Sequence, residues 1–437
     1  MTGLKNWKRW VTFGLLGLCL SWLVSCGNNT AQETGKGTDE KGKATIEFWT
    51  MQLQPKFTDY FNGLIKTFEQ ENPAIAVKWV DIPWTAMQSK ILTAVSSQTA
   101  PDVVNLNPDF AAQLAGRNAW LDLDNKIDPK VRSEYLPNIW KASTLNGKTF
   151  GLPWYLTSRV AIYNSDLFQK AGLKSPPSTY AELATDAKII KEKTGKYAFF
   201  MTAAPGDSGE ILESFVQMGV KLIDAQGRAA FNTVQGKTAF QYWADLYQQK
   251  LVPLEMTTEG HRHSVELYQS GQTALLSSSP EFLGSIATDA PDVAKVSVAA
   301  PQITGSTGKK NVAVMNVVIP KNTKRPDAAV KFAVFLTNPK NQLSFAKAAN
   351  VLPSTMTSLQ DPYFSKVTAD ATSIDKARVV SAGQMKTAEV LVPTLKDIKS
   401  LQKILYENLQ AVMLKQKTAD QALKDAEKAW NQEYAAG

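Results

Sequence analysis

The chain has 437 residues, 44% of them hydrophobic and 20% charged, the balance of a folded protein long enough for two or three domains and not of a disordered one. Its net charge of +8 includes Lys5, Lys8 and Arg9 in a segment read below as removed, and the remaining 8 − 3 = +5 is scattered among acids, which excludes the basic stripe that a nucleic-acid backbone needs. Both cysteines, Cys19 and Cys26, lie near the start, so the body has no disulfide framework, thiol nucleophile or cysteine metal site.

The basic start precedes an apolar run, Val11 to Val24. The run has the length of a signal-peptide core and is short of the ~20 residues that a membrane-spanning helix needs. It ends Leu23-Val24-Ser25-Cys26-Gly27, which resembles a bacterial lipobox. Residues 1–25 are therefore expected to be a lipoprotein signal peptide, with Cys26 lipidated at the mature N-terminus. Several acyl chains on one cysteine hold firmly where a single chain binds marginally. Residues 26–43 are expected to be a flexible tether, since Gly27 to Lys43 carries no apolar residue larger than alanine.

Alternation of Ile46 and Phe48 with polar neighbours predicts a strand from Ala44 to Trp49. Phe57, Phe61, Leu64, Ile65 and Phe68 fall at helical spacing. A strand through Ile75, Val77 and Trp79, a helix through Met87, Ile91, Leu92 and Val95, and a strand from Asp102 to Leu106 follow. This order predicts a parallel sheet with helices on both faces. In such sheets ligands bind beyond the carboxyl ends of the strands. Two of those ends carry Trp49-Thr50-Met51-Gln52 and Asn105-Leu106-Asn107-Pro108-Asp109.

The stretch Gly151 to Asn164 reads as a seam, with Trp154 and Tyr155 adjacent and a strand from Arg159 onward. A second α/β pattern follows: a helix Thr179 to Lys193, a strand Tyr197 to Met201, and a helix through Ile211, Phe215 and Met218. Asp224-Ala225-Gln226-Gly227 predicts a hairpin turn. Phe240, Trp243, Leu246 and Tyr247 form a helical stripe, and a strand Thr273 to Leu276 runs into Ser277-Ser278-Ser279-Pro280-Glu281. Further strands fit Val296 to Ala299 and Val312 to Ile319, and helices fit Pro326 to Leu336, Asn341 to Ala348, Leu395 to Met413 and Ala422 to Trp430.

Four segments carry a resemblance to a known family: Thr99-Ala100-Pro101-Asp102-Val103-Val104, Ile162-Tyr163-Asn164-Ser165-Asp166-Leu167-Phe168, Gly271-Gln272-Thr273-Ala274-Leu275, and Thr418-Ala419-Asp420-Gln421-Ala422-Leu423. In that order and spacing the chain resembles the maltose-binding-protein-like extracytoplasmic solute-binding proteins of sugar ABC importers. The resemblance implies an α/β fold of the two-lobed periplasmic-binding-protein type II class, with hinge crossings and a ligand cleft between the lobes. By it, 44–152 and 283–322 form lobe 1, and 154–282 and 323–437 form lobe 2. It further implies a high-affinity sugar-binding component that closes on a small saccharide, such as a di- or oligosaccharide or glucosyl-polyol, and delivers it to the permease subunits. The protein would be a monomer, lipid-anchored on the extracytoplasmic face of the cytoplasmic membrane, with no cofactor and no metal.

Sugar rings present apolar faces rimmed by hydroxyls, so their sites combine aromatic rings with carboxylates and amides. Asp109 falls where the family's maltose binders have a ligand aspartate, and Asp207 falls near one of their ligand glutamates. Glu281, directly after Pro280, stands where they place a stacking tryptophan, and Leu106 and Leu401-Gln402 also lack their aromatics. Trp49, Trp84, Trp154 and Tyr155 are left to stack a sugar, each with core packing as its alternative role. The expected ligand-binding set is Trp49, Gln52, Asn107, Asp109, Trp154, Tyr155, Asp207, Glu259, Glu281 and Asn316, with His261 beside Glu259.

A lipid-anchored carbohydrate-active hydrolase is the main alternative; it needs a carboxylate pair flanking the scissile bond, and Asp and Glu are plentiful. Gly206-Asp207-Ser208-Gly209 looks like a protease nucleophile segment, but that chemistry needs a histidine base, and His261 and His263 follow the serine where the protease order puts the histidine first. A Gly-rich loop entering a helix N-terminus is the better reading. His261-Arg262-His263 has no third histidine or cysteine to complete a zinc site.

Overall fold

Ile46 and Phe48 are fully buried and their neighbours are not, so the strand Ala44–Met51 turns one face into a core. The computed structural model describes residues 43–205, 207, 209–392, 395 and 397–436. The expected signal peptide, the Cys26 lipidation site, nearly all of the tether, and Gly206 and Ser208 lie outside the described residues. Among the described residues no helix is long and apolar enough to cross a membrane.

The strands Ala44–Met51, Ile75–Ile82 and Val103–Leu106 pair in parallel, in register Ala44↔Ile75 and Phe48↔Val103. They begin a mixed sheet of seven described strands, ordered Leu352–Pro353, Gly151–Ser158, Lys310–Val318, Val103–Leu106, Ala44–Met51, Ile75–Ile82, with Ala388–Glu389 paired to the start of Lys310–Val318. A second, antiparallel sheet holds Leu275–Ser278, Val160–Asn164 and Ser297–Ala300. Arg159 alone separates Gly151–Ser158 in the first sheet from Val160–Asn164 in the second. Among the described residues the chain passes between the bodies again from Ala300 to Lys310; later the helix Ser373–Gly383 packs on the second sheet through Ala377, and the chain returns to the first sheet at Ala388–Glu389 before crossing once more toward the helix Ile398–Met413.

Each body has its own apolar core. In the first, Phe332 meets Phe48 edge-on at 5.1 Å, and Phe345 stacks on Trp154 at 4.8 Å. In the second, Phe215, Phe240 and Trp243 pack with Leu401, Leu405, Tyr406 and Leu409 of Ile398–Met413. A ring fully withdrawn from water contributes about 2 kcal/mol, so these contacts decide which body an element joins.

On that basis two expectations are corrected. The helices Pro326–Leu336 and Pro339–Ala349 place Phe332 and Phe345 under the first sheet, and Ser297–Ala300 pairs in the second, so the cores divide the chain differently from the lobe boundaries implied by the resemblance. No strand spans Tyr197 to Met201; Tyr197 makes a single bridge to Thr273, the Ala198 carbonyl accepts the Leu275 N–H at 2.7 Å, and Phe199 to Met201 bury their side chains outside any strand. The predicted turn is present: Asp224 Oδ1 accepts the Gln226 and Arg228 N–H groups at 2.9 Å each.

Side-chain amides tie the crossings together. Gln384 Oε1 accepts the Gln302 N–H at 2.6 Å, and Gln384 Nε2 donates to the Arg159 carbonyl at 3.0 Å. Gln302 Oε1 accepts the Asn311 N–H at 2.6 Å and Gln217 Nε2 at 3.2 Å. Asn311 Oδ1 accepts the Leu391 N–H at 3.1 Å. Gln217, Gln302 and Gln384 are buried, so each bond replaces a water that the interior does not supply.

Candidate functional site

The sequence starts a helix at Asn107-Pro108, where the Asn107 Oδ1 accepts the Phe110 N–H at 2.8 Å and proline sits at the first helical position. This points the start of Pro108–Ala115 toward the second body. Opposite it lie the helix Glu210–Gln217 and the start of Ile398–Met413. Between them is a cavity of about 400 Å³ lined by Asn107, Asp109, Arg159, Glu213, Lys399 and Gln402, with Asn311 to Ala313 of the strand Lys310–Val318 and Val390 and Val392 of the passage that leads to Ile398–Met413. Trp84, at the start of its own helix, stands at the cavity with 45% of its surface exposed. Its backbone N–H donates to Gln52 Oε1 at 3.2 Å. Asp81 accepts the Leu53 and Gln54 N–H groups at 2.9 and 3.0 Å and so fixes the turn that carries Gln52.

A second cavity of about 250 Å³ shares Arg159, Glu213, Asn311 and Ala313 with the first and reaches His261, Ser278, Ser279 and Phe282. The two spaces thus meet at the residue where the chain crosses between sheets. Arg159 is ion-paired there with Glu210, and its Nε lies 3.7 Å from Glu213 Oε2. His261 Nδ1 is 3.4 Å from Glu210, and the His261 backbone N–H donates to Asp207 Oδ2 at 2.6 Å. Burial works against both carboxylates. Arg159 and His261 outweigh it at Glu210, which is held below the usual range. At Glu213 burial and the nearby Glu210 charge outweigh Arg159, and the carboxyl is pushed up to about 7. Lys399 Nζ pairs with Asp109 at 3.4 Å across the cleft.

Of the residues expected from sequence, Asn107 and Asp109 line the cavity. Gln52 stands behind it, holding the Trp84 backbone. Asp207 caps the helix His261–Gln269 and packs against Gly260, where a Cβ would lie 2.0 Å from its Oδ2. The others stand elsewhere. Trp154 is fully buried and stacked on Phe345, and Tyr155 packs edge-on against the same ring. Trp49 lies on the first sheet with its Nε1 donating to Glu47 at 2.6 Å. Asn316 is buried, its Oδ1 accepting from Ser143 Oγ at 2.5 Å. Glu259 and Glu281 are exposed, outside both cavities. Among the described residues no group of three or more His, Cys, Asp or Glu is placed to hold a metal ion.

Arg159, Glu213, Asn311 and Lys399 were not singled out from sequence, and Gln402 was named only as lacking an aromatic ring. One signal was available for the carboxylates. Glu210 and Glu213 stand three apart in a short stretch with Ile211, Leu212 and Phe215, the spacing that puts two acids on one face of a first helical turn.

Comparison with known proteins agrees with this geometry. A family model described as bacterial extracellular solute-binding protein matches residues 54–343. The chain is 43% identical to a candidate oligosaccharide periplasmic-binding protein of Synechococcus sp. MITs9220, whose crystal structure superposes with a TM-score of 0.82, covering 90% of this chain and 99% of that one. It is 25% identical over 363 residues to the diacetylchitobiose binding protein DasA of Streptomyces coelicolor, covering 79% of this chain and 82% of that protein. The cyclic alpha-maltosyl-1,6-maltose binding protein of Arthrobacter globiformis is 21% identical with a TM-score of 0.76, covering 91% of this chain and 100% of that one, a likeness of fold. The α/β architecture with two lobes is the one these structures share.

Proposed function

Because the chain belongs to the bacterial extracellular solute-binding protein family, we propose that it captures a small saccharide in the cleft between its two bodies and passes it unaltered to the membrane subunits of an ABC importer. The observation that carries the reading is the cavity of about 400 Å³ with hydrogen-bonding groups from both sides, Asn107 and Asp109 on one and Glu213 and Gln402 on the other. Its volume lies in the range of small-molecule sites. A solute that touches both walls stabilises the closed arrangement, which is the differential affinity that ligand-driven closure requires. Relatives named for binding diacetylchitobiose, mannitol and arabinooligosaccharide support a carbohydrate. Cys26, acylated, would hold the protein on the outer face of the membrane, with residues 27–43 as the tether.

A thermal-shift screen of the mature protein against a saccharide panel tests this. One or a few small saccharides are expected to raise the melting temperature by several degrees, since a ligand that binds only the folded state stabilises it. Chromatography of the recovered solute separates binder from hydrolase: the binder returns it intact. A response confined to amino acids or peptides, or release of cleaved sugar, refutes the proposal.

A further inference from the structure

Glu213 is one of the four residues that line both cavities, with Arg159, Asn311 and Ala313. Arg159 faces it from the strand crossing, Glu210 from its own helix, His261 from the helix His261–Gln269, Asp109 from Pro108–Ala115, and Lys399 from Ile398–Met413. The hydroxyls of Tyr180 and Tyr406 also feel its charge. Its one close partner is Arg159 Nε at 3.7 Å, longer than a hydrogen bond, and among the described residues no donor is bonded to its carboxylate. Its side chain keeps 14% of its surface, toward the cavities.

The cations of the cleft are already engaged. Arg159 is held by Glu210 with Glu213 beside it, and Lys399 by Asp109. The first turn of Glu210–Gln217, where backbone N–H groups would otherwise attract an anion, carries Glu210 and Glu213 themselves. An incoming phosphate or carboxylate would meet three carboxylates and two cations already paired with them. An incoming hydroxyl would find an acceptor without a donor.

Resting on the carbohydrate reading above, we propose that Glu213 is the cleft's solute-contacting acceptor, and that it makes the site select uncharged polyhydroxylated solutes over their phosphate esters. Solute hydroxyls donate to the carboxylate, so a proton on Glu213 competes with the solute. The carboxyl titrates at about 7 in the free protein, for the reasons of burial and charge given above. Binding is therefore strongest above that value and weakens as pH falls through it.

Calorimetry with sucrose, trehalose and maltose, each beside its 6-phosphate, tests both halves. The neutral sugar that binds is expected to do so at least about tenfold more tightly than its phosphate, because like charges are brought together. Its Kd is expected to rise about tenfold from pH 8 to pH 6, by proton linkage at one site. Glu213→Gln keeps the shape and removes the charge; it is expected to weaken binding roughly tenfold or more and to flatten the pH profile, with the melting curve confirming a folded protein. Equal or tighter binding of the phosphate overturns the proposal, as does a flat profile in the unmodified protein; neither measurement needs the variant. Normal, pH-dependent affinity in Glu213→Gln also overturns it. Absence of binding by every sugar overturns the carbohydrate reading and this inference with it, whereas sugar binding without these dependences overturns this inference alone.

Discussion

Replacing Gln384 by leucine keeps the volume of the side chain and removes its amide. In the structure that amide accepts the Gln302 N–H at 2.6 Å and donates to the Arg159 carbonyl at 3.0 Å and to Ser158 Oγ at 3.3 Å. Ser158 Oγ loses a donor but still donates to the Asn311 carbonyl at 3.4 Å, so it is not orphaned. The Gln302 N–H and the Arg159 carbonyl lose these bonds in a part of the fold where Gln302, Gln384 and Ser158 are all buried. The Arg159 carbonyl keeps Ser158 Oγ as a donor at 3.3 Å, so the cost is that of the Gln302 N–H; an unsatisfied buried polar group costs about 1–3 kcal/mol, a sizeable share of the ~5–15 kcal/mol by which proteins of this kind are stable. Urea titration of the two proteins at one pH gives the difference from the shift in midpoint. Hydrogen exchange read at the Gln302 amide gives the local effect, which is expected to be a loss of protection at the crossings while the amides of Ala44–Met51 keep theirs. A loss below about 1 kcal/mol with unchanged protection at Gln302 would show that the amide network does not hold the crossings, and would refute the reasoning.

Two tryptophans of the same chain should respond in opposite ways. Trp154→Ala removes a fully buried ring stacked on Phe345 and is expected to cost about 3–5 kcal/mol by urea titration, whereas Trp84→Ala, at a site 45% exposed, is expected to cost under about 1 kcal/mol and to lower sugar affinity measured by calorimetry. The raised Glu213 carboxyl means that the folded chain holds a proton which the unfolded chain gives up near pH 4.5. Its contribution to stability is thus complete below about 4.5 and lost as pH rises through about 7, and the corresponding slope of urea midpoint against pH should disappear in Glu213→Gln.

The elements most legible in the sequence were those whose signals are local. Ile46 and Phe48 alternate and are both buried, the Asp224 turn closes on its own side chain, and Thr179 with Glu182 forms the capping box that opens the helix Tyr180–Thr194. The run at Tyr197 failed because pairing stops at Ala198 and the apolar residues after it are buried by packing against other elements. Helix Pro326–Leu336 was legible as a helix, but nothing local in Phe332 says that its partner is Phe48, 284 positions earlier by subtraction of their numbers. The site divided in the same way. Asn107 and Asp109 could be placed because they follow a predicted strand in the position where α/β sheets bind ligands. Trp84 and Trp154 look alike in sequence, and only the three-dimensional packing sends one to the rim and the other under Phe345. The Arg159 cluster draws its members from segments 51 and 102 positions downstream, at Glu210 and His261, again by subtraction.

The strand Lys310–Val318 lies between Val103–Leu106 and Gly151–Ser158 in the first sheet. Synthesis reaches it after both of its neighbours, and after the whole second sheet. Until it arrives, two halves of one layer have bare edges facing each other, which is the condition in which strands recruit wrong partners. The nascent chain therefore has no finished first body to rest in for most of its length. A polypeptide built this way is kept loose by its own topology until Lys310–Val318 has been made.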